Sequence, residues 1–503
     1  VATSGTVGLV LLARCAISPL LGFDTRFRWD YLAQKLLALH RFDFYPPLTP
    51  ADFRTYFYVD GIPPMVSFTH WWMYASAGGR LPVLICLFVA VQFACTLAFT
   101  YGAASALHTK RAGILAAAAL AACPLYFRSI VLGQETGLTA LAVAAMMYFI
   151  VTAARSADIR AMAAAGIAAG LCALSREYGW IALPAGILAL VWRRQSVKQV
   201  VVFAAVAAAC GAPWYARNWI VAGNPFYSLR LAGFAVNPIH DAILQYYRSL
   251  LGVRHWTVGD WGTAVWLLIG FAPLQMLAGI PGALASFRRH GYWIAIALLL
   301  GLVWLQSVGY TSGPVDYSMR VLSPAMVVFS ITAAGLLDSL ANRWRSYGVI
   351  VAVIVLCQCL TAAHGVLYPM GPFDIPFSQW SQNAFADVQP PMEFQLADRL
   401  RASVPPGKRV LSDSAFLYAV FLEKGVEVVP VWSPEVRFLF TAPPEESERR
   451  LRDLHIQAVV YYPKSLNTRY LVSASPFYAS VMQRWHVEGQ VAGELILLVP
   501  KER

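Results

Sequence analysis

Five acids and four arginines fall within residues 23–72: Asp24, Asp30, Asp43, Asp52 and Asp60, with Arg26, Arg28, Arg41 and Arg54. The local sequences are FDTRFRWDYLAQKLL and FYVDGIPPMVSFTHWW. Acid–base groupings recur downstream. Arg128 and Glu135 flank one turn, Arg176 and Glu177 are adjacent, Arg217 lies in PWYARNWIVAGNPFY, and Asp316, Tyr317 and Arg320 lie in DYSMRVLSP. A carboxylate takes or orients the proton of an incoming nucleophile. Arginines hold phosphate oxygens and stabilise the charge that builds on a leaving group. Together these residue types suit group transfer from a phosphate-linked donor. Each also has a plainer reading. An Asp just past a helix end is a cap or interface marker, Glu135 caps a helix beginning at 136, Arg176 pairs with Glu177, and interfacial arginines meet lipid headgroups.

The elements that must position these groups are apolar. The chain has 503 residues, of which 58% are hydrophobic and 13% charged, against about 25% charged in soluble domains. Apolar runs at 7–21, 81–107, 112–127, 136–154, 161–174, 178–192, 200–214, 261–287, 292–308, 321–340 and 348–366 predict a polytopic α-helical membrane protein with about eleven spans. The first run is short, contains Arg14 and lacks a small-residue cleavage site, so it reads as a truncated or tilted span and not a signal peptide. Short basic connections (Lys110–Arg111, Arg155 with Arg160, Arg193–Arg194 with Lys198, Arg288–Arg289, Arg343 with Arg345) alternate with the other connections, which predicts that the basic set is cytoplasmic. The loops 23–80, 128–135, 175–178, 214–260, 309–320 and everything after about 367 are then extracytoplasmic, in a bacterial inner or plasma membrane. The net charge of +12 is explained by this asymmetry and by anionic lipid, so no nucleic-acid partner is expected.

The eight cysteines all lie in or beside apolar runs without zinc-type spacing, and His70, His240 and His255 are isolated. No metal site and no cofactor are expected, although a divalent metal is not excluded. Gly133 and Gly407 sit in turns that lack a phosphate-loop pattern. Within 23–80, the stretch 30–41 has helical periodicity, with Trp29, Leu32, Ala33, Leu36 and Leu37 on one side and Asp30, Gln34, Lys35 and Arg41 on the other. A second amphiphile spans 65–75. From about 376 the composition becomes that of a soluble domain. Short β-rich runs at 409–411, 426–432, 458–462 and 495–499 alternate with helical patterns at 392–403, 414–423 and 444–455, which predicts a small C-terminal α/β domain with a largely parallel sheet. The expected organisation is a transmembrane catalytic domain over 1–370 and an extracytoplasmic domain over 371–503.

The motifs FDTRFRWDYLAQ, YFYVDGIPPM, LSREYGW, PWYARNWIVAGNPFYS and DYSMRVLSPAM, in that order over about the first 370 residues, resemble the GT-C superfamily of polyprenyl-phosphate-sugar-dependent glycosyltransferases, near its protein O-mannosyltransferase and aminoarabinose-transferase branch. The resemblance implies an inverting glycosyltransferase that moves a sugar from a polyprenyl-phosphate donor to a lipid, glycan or protein acceptor on the extracytoplasmic side. By resemblance Asp24 matches the base position, Asp30 is its rival and Asp60 assists. Arg176 stands where the family often has Lys. Arg26, Arg28, Glu135, Glu177, Arg217, Tyr317 and Arg320 complete the expected substrate- and phosphate-binding set. The alternative is a transporter or flippase of a lipid-linked saccharide. Ionisable groups clustered on one membrane face, with no visible internal repeat, speak against it.

Overall fold

The computed structural model describes residues 2–22, 24–156, 158–310, 315–341, 407–414, 426–491 and 495–501, and the single positions 349, 353, 356, 358 and 360. The expected helix at 392–403 lies outside the described residues, as do nearly all of the expected span at 348–366 and helix at 414–423. The chain divides into two compact units, neither continuous in sequence. The first takes Val1–Arg26, Pro63–Ala216 and Leu251–Val388; the second takes Phe27–Ile62, Arg217–Leu250 and Gln389–Arg503.

Five helices are long and apolar enough to cross a membrane: Pro82–Leu107, Glu135–Ser156, Val197–Ala222, Gly291–Val308 and Val315–Ala341. The shorter apolar helices are Ser4–Ile17, Ile159–Ser175 and Glu177–Trp192. Two stretches expected as single spans are bent. The first is Lys110–Ala121 followed by Pro124–Ile130 at 62°; the second is Val258–Phe271 followed by Gln275–Ala285 at 97°. Counting each bent pair as one span gives up to seven among the described residues; three more of the eleven expected spans are the shorter apolar helices, and most of the last lies outside the described residues. Proline explains both bends. It lacks a backbone N–H and drives the preceding residue out of the helical region. Cys123 before Pro124 is extended (φ −76°, ψ 112°), and Ala272 before Pro273 has φ −145° and ψ 54°.

Within the first unit, Val315–Ala341 and Glu135–Ser156 are the most enclosed of the long helices, 78% and 67% buried over their apolar windows. Both helices carry buried small residues, among them Ala140, Ala144, Ala325 and Ala334. Small residues let helix backbones approach closely where lipid gives no hydrophobic drive for association. The acid–base residues lie at the N-terminal ends of these two helices. Gly133, with φ +61°, turns the chain from Pro124–Ile130 into Glu135–Ser156.

The second unit holds the C-terminal sheet: β1 Arg409–Ser412, β2 Glu427–Pro430, β3 Ile456–Tyr461, β4 Trp485–Val491 and β5 Leu495–Pro500, in the order β2-β1-β3-β5-β4. β1 runs parallel to β2 and β3, whereas β5 is antiparallel to β3 and β4. The sheet is therefore mixed, a correction to the largely parallel expectation. The chain crosses from β2 to β3 through the helix Pro444–Asp453, and β4 and β5 form the antiparallel terminal hairpin. The π-helix Thr25–Asp30 runs into the helix Tyr31–Leu39. Asp30 was expected on the polar side of that helix. It is fully buried and accepts a hydrogen bond from Gln34 Nε2 at 2.7 Å. The wide π-turn carries it inward, where the Gln34 amide satisfies its charge.

Candidate active site in the first unit

Asp24 follows the first helix, and Arg320 lies in the second turn of the helical segment Val315–Ala341. Their sequence separation is 296, yet Arg320 Nη2 donates to Asp24 Oδ2 at 2.6 Å. The side chains are only 12% and 18% exposed, so the pair is shielded more than a surface salt bridge. The Arg320 guanidinium lies 4.2 Å from the centre of the Tyr317 ring. An aromatic face holds a guanidinium plane while leaving its in-plane donors for hydrogen bonds.

Gln134 holds the two halves of this arrangement. Its Nε2 donates to Thr25 Oγ1 at 2.7 Å and reaches the Tyr317 hydroxyl at 3.5 Å. Thr25 Oγ1 in turn donates to the Leu132 carbonyl at 2.7 Å. A Cβ on Gly22 would fall on Gln134 Nε2 and Thr25 Oγ1, so only glycine leaves room for the contact. Glu135, 1% exposed, follows directly. Its Oε2 and Arg320 Nη1 are buried without a hydrogen-bond partner among the described residues. Tyr178 is within electrostatic reach of Glu135, Arg176 and Arg320. Arg176 Nε is paired with Glu177 Oε2 at 3.1 Å.

Beside Arg320 opens a small cleft lined by Leu125, Arg128, Ser129, Leu132, Phe271, Asp316, Tyr317 and Arg320. Sequence reasoning grouped Arg128 with Glu135 and left both Arg128 and Asp316 out of the site. Arg128 instead pairs with Asp316 at 3.2 Å, 188 positions away, and lies over the Phe271 ring at 4.6 Å. Nothing local signals a pairing at that separation.

The remaining expected residues fall elsewhere. Arg26 is buried in the first unit. In the second unit Arg28 Nε donates to Asp60 Oδ2 at 2.8 Å. Tyr45 donates its hydroxyl hydrogen to Asp60 Oδ1 at 2.5 Å, and the Tyr56 hydroxyl donates to Oδ2 at 3.3 Å. Both Asp60 oxygens are thus engaged within the unit. Burial, with the Asp60 charge adding to it, raises the Tyr45 and Tyr56 hydroxyls well above the usual phenol range. Arg28 stacks on Tyr58, which makes edge contacts with His240 and Trp432. Arg217 donates to the Phe42 carbonyl at 3.0 Å and lies over that ring. No cluster of three or more metal-ligating side chains occurs among the described residues.

These helices and this sheet match solved structures along nearly the whole chain. ArnT from Cupriavidus metallidurans in its apo state is 14% identical with a TM-score of 0.58, over 99% of this chain and 97% of that one. The chain has the GT-C fold. The same protein bound to undecaprenyl phosphate superposes on this chain at a TM-score of 0.56 and 13% identity, again over 99% and 97%. The Archaeoglobus fulgidus oligosaccharyltransferase AglB, in complex with an inhibitory peptide and a dolichol-phosphate, gives 0.56 at 12% identity over 100% of this chain and 76% of that one. The family described as dolichyl-phosphate-mannose-protein mannosyltransferase matches residues 62–216. No curated protein is significantly similar in sequence. With its long apolar helices and this fold, the chain is an integral membrane protein.

Proposed function

We propose that the chain is a membrane glycosyltransferase that inverts the anomeric centre as it moves a sugar from a polyprenyl phosphate to an acceptor on the extracytoplasmic face. The observation that carries this reading is the Asp24–Arg320 pair, shielded and set beside a cleft with leucine and aromatic walls. In the reaction, Asp24 takes the proton of the acceptor hydroxyl as its oxygen bonds to the anomeric carbon. The bond from that carbon to the phosphate oxygen breaks, and polyprenyl phosphate departs carrying the electron pair. In this reading Arg320 passes from Asp24 to the departing phosphate, and its Nη1, without a hydrogen-bond partner among the described residues, is a donor available to that charge. Arg176 is the second cation on the Glu135 and Tyr178 side. Asp30 and Asp60, each satisfied inside the second unit, hold structure in this reading and do not take the proton. The relatives bound to undecaprenyl phosphate and dolichol-phosphate support a lipid-phosphate donor. The test is turnover with a polyprenyl-phospho-sugar donor. Asp24→Asn is expected to lose at least about a hundredfold in kcat, in the range of a lost general base. Retention of parental turnover in that variant overturns the assignment.

A further inference from the structure

The cleft contains a second ion pair with no part in the proton transfer just described. Arg128 Nη2 meets Asp316 Oδ2 at 3.2 Å, with the side chains 31% and 29% exposed, so this pair is more open than Asp24–Arg320. Phe271 backs the Arg128 guanidinium. Leu125, Leu132 and Arg320 line the same cleft. The four charged side chains, Arg128, Arg320, Asp24 and Asp316, sum to zero.

A pair this open is worth at most about 1 kcal/mol, so a stronger anion displaces it. A phosphate monoester carries up to two charges and engages an arginine fork through two oxygens. We propose that Asp316 is a built-in competitor for the lipid phosphate on Arg128: it holds Arg128 between turnovers, yields it to the polyprenyl phosphate, and retakes it as that product leaves. The proposal rests on the glycosyltransferase reading. It adds that the chain carries its own anion to promote product release. The product has more charge than the phosphodiester donor, so it feels the Asp316 carboxylate more strongly.

The experiment measures binding of undecaprenyl phosphate to the detergent-solubilised full chain by isothermal titration, with inorganic phosphate run alongside. Arg128→Ala is expected to weaken lipid-phosphate binding about tenfold, the loss of one charge-assisted contact. Arg128→Lys, which keeps the charge and loses the fork, is expected to fall between it and the parent. Asp316→Asn is expected to tighten binding several-fold and to lower kcat if release limits turnover. A merely structural salt bridge predicts instead that Arg128→Ala and Asp316→Asn weaken binding together. That result, or unchanged binding in Arg128→Ala, overturns the proposal. If the parent binds inorganic phosphate as well as the lipid, the leucine-lined wall has no role and the lipid assignment fails. A parent that binds no lipid phosphate overturns the glycosyltransferase reading itself.

Discussion

Two carboxylates that look alike in the sequence have different surroundings. Asp24 pairs with Arg320 in the first unit, whereas Asp60 has Arg28 and two tyrosine hydroxyls on it inside the second unit. Removing one member of a buried ion pair leaves the other charge uncompensated and costs about 3–5 kcal/mol. Asp60→Ala is therefore expected to lower the thermal midpoint in detergent sharply, with activity lost in proportion to unfolded protein. Asp24→Ala leaves Arg320 with the nearby Glu135 charge, and is expected to remove turnover with a smaller loss of midpoint than Asp60→Ala. Differential scanning fluorimetry set beside a turnover assay separates the two cases. Equal losses of stability in both variants contradict this division.

The elements do their positioning through turns. Gly22 and Gly133 frame the Gln134–Thr25 contact. Gly22→Ala puts a methyl on the Gln134 amide and the Thr25 hydroxyl, and these adjoin Asp24. A misplacement on the order of 1 Å costs about a hundredfold in rate. Gly22→Ala is expected to lower kcat by at least about tenfold on that scale, with KM for the acceptor changing less. Gly133→Ala adds strain at φ +61° and brings its Cβ within 2.7 Å of Ile85 Cγ2. It is expected to cost about 1–2 kcal/mol of stability as well. Kinetics and a thermal scan on both variants check the contrast.

The same elements show what the sequence carried. Every apolar stretch up to residue 340 coincides with helix, because run length and composition report burial in lipid directly. The bends at Pro124 and Pro273 were hidden because the apolar runs continue through them. β1, β2, β3 and β5 were visible as β-branched runs. β4 was missed because Glu488, Gly489 and Gln490 break its pattern. The order of the site motifs was legible. The contacts Asp24–Arg320 and Arg128–Asp316 were not, since periodicity says nothing about pairs separated by 296 and 188 residues.

At the scale of the molecule, the second unit carries two buried groups that respond to pH in opposite directions. Burial, with Arg28 adding to it, lowers the His240 imidazole from its ordinary value of 6.5 to about 3. The unfolded chain therefore takes a proton there below about pH 6.5 that the folded chain refuses, and stability falls as pH drops toward 3. Asp413, at the end of β1, is raised by burial from 3.8 to about 6, against hydrogen bonds that lower it, including those of Thr468 and Asn467. The folded chain takes a proton there that the unfolded chain takes only below 3.8, so this stability is fully present below 3.8 and lost as pH rises through 6. Between about pH 4 and 6 the two proton counts cancel, and these groups leave the stability nearly flat. Asp413→Asn removes one side of the balance. Relative to the parent, it is expected to lose about 1.4 kcal/mol per pH unit on acidification across that window. His240→Gln is expected to show the opposite slope. Thermal midpoints of the parent and both variants at pH 4.5, 5.0 and 5.5 read the difference directly, because every other titrating group is common to the three proteins. Parallel curves for all three remove both burial assignments.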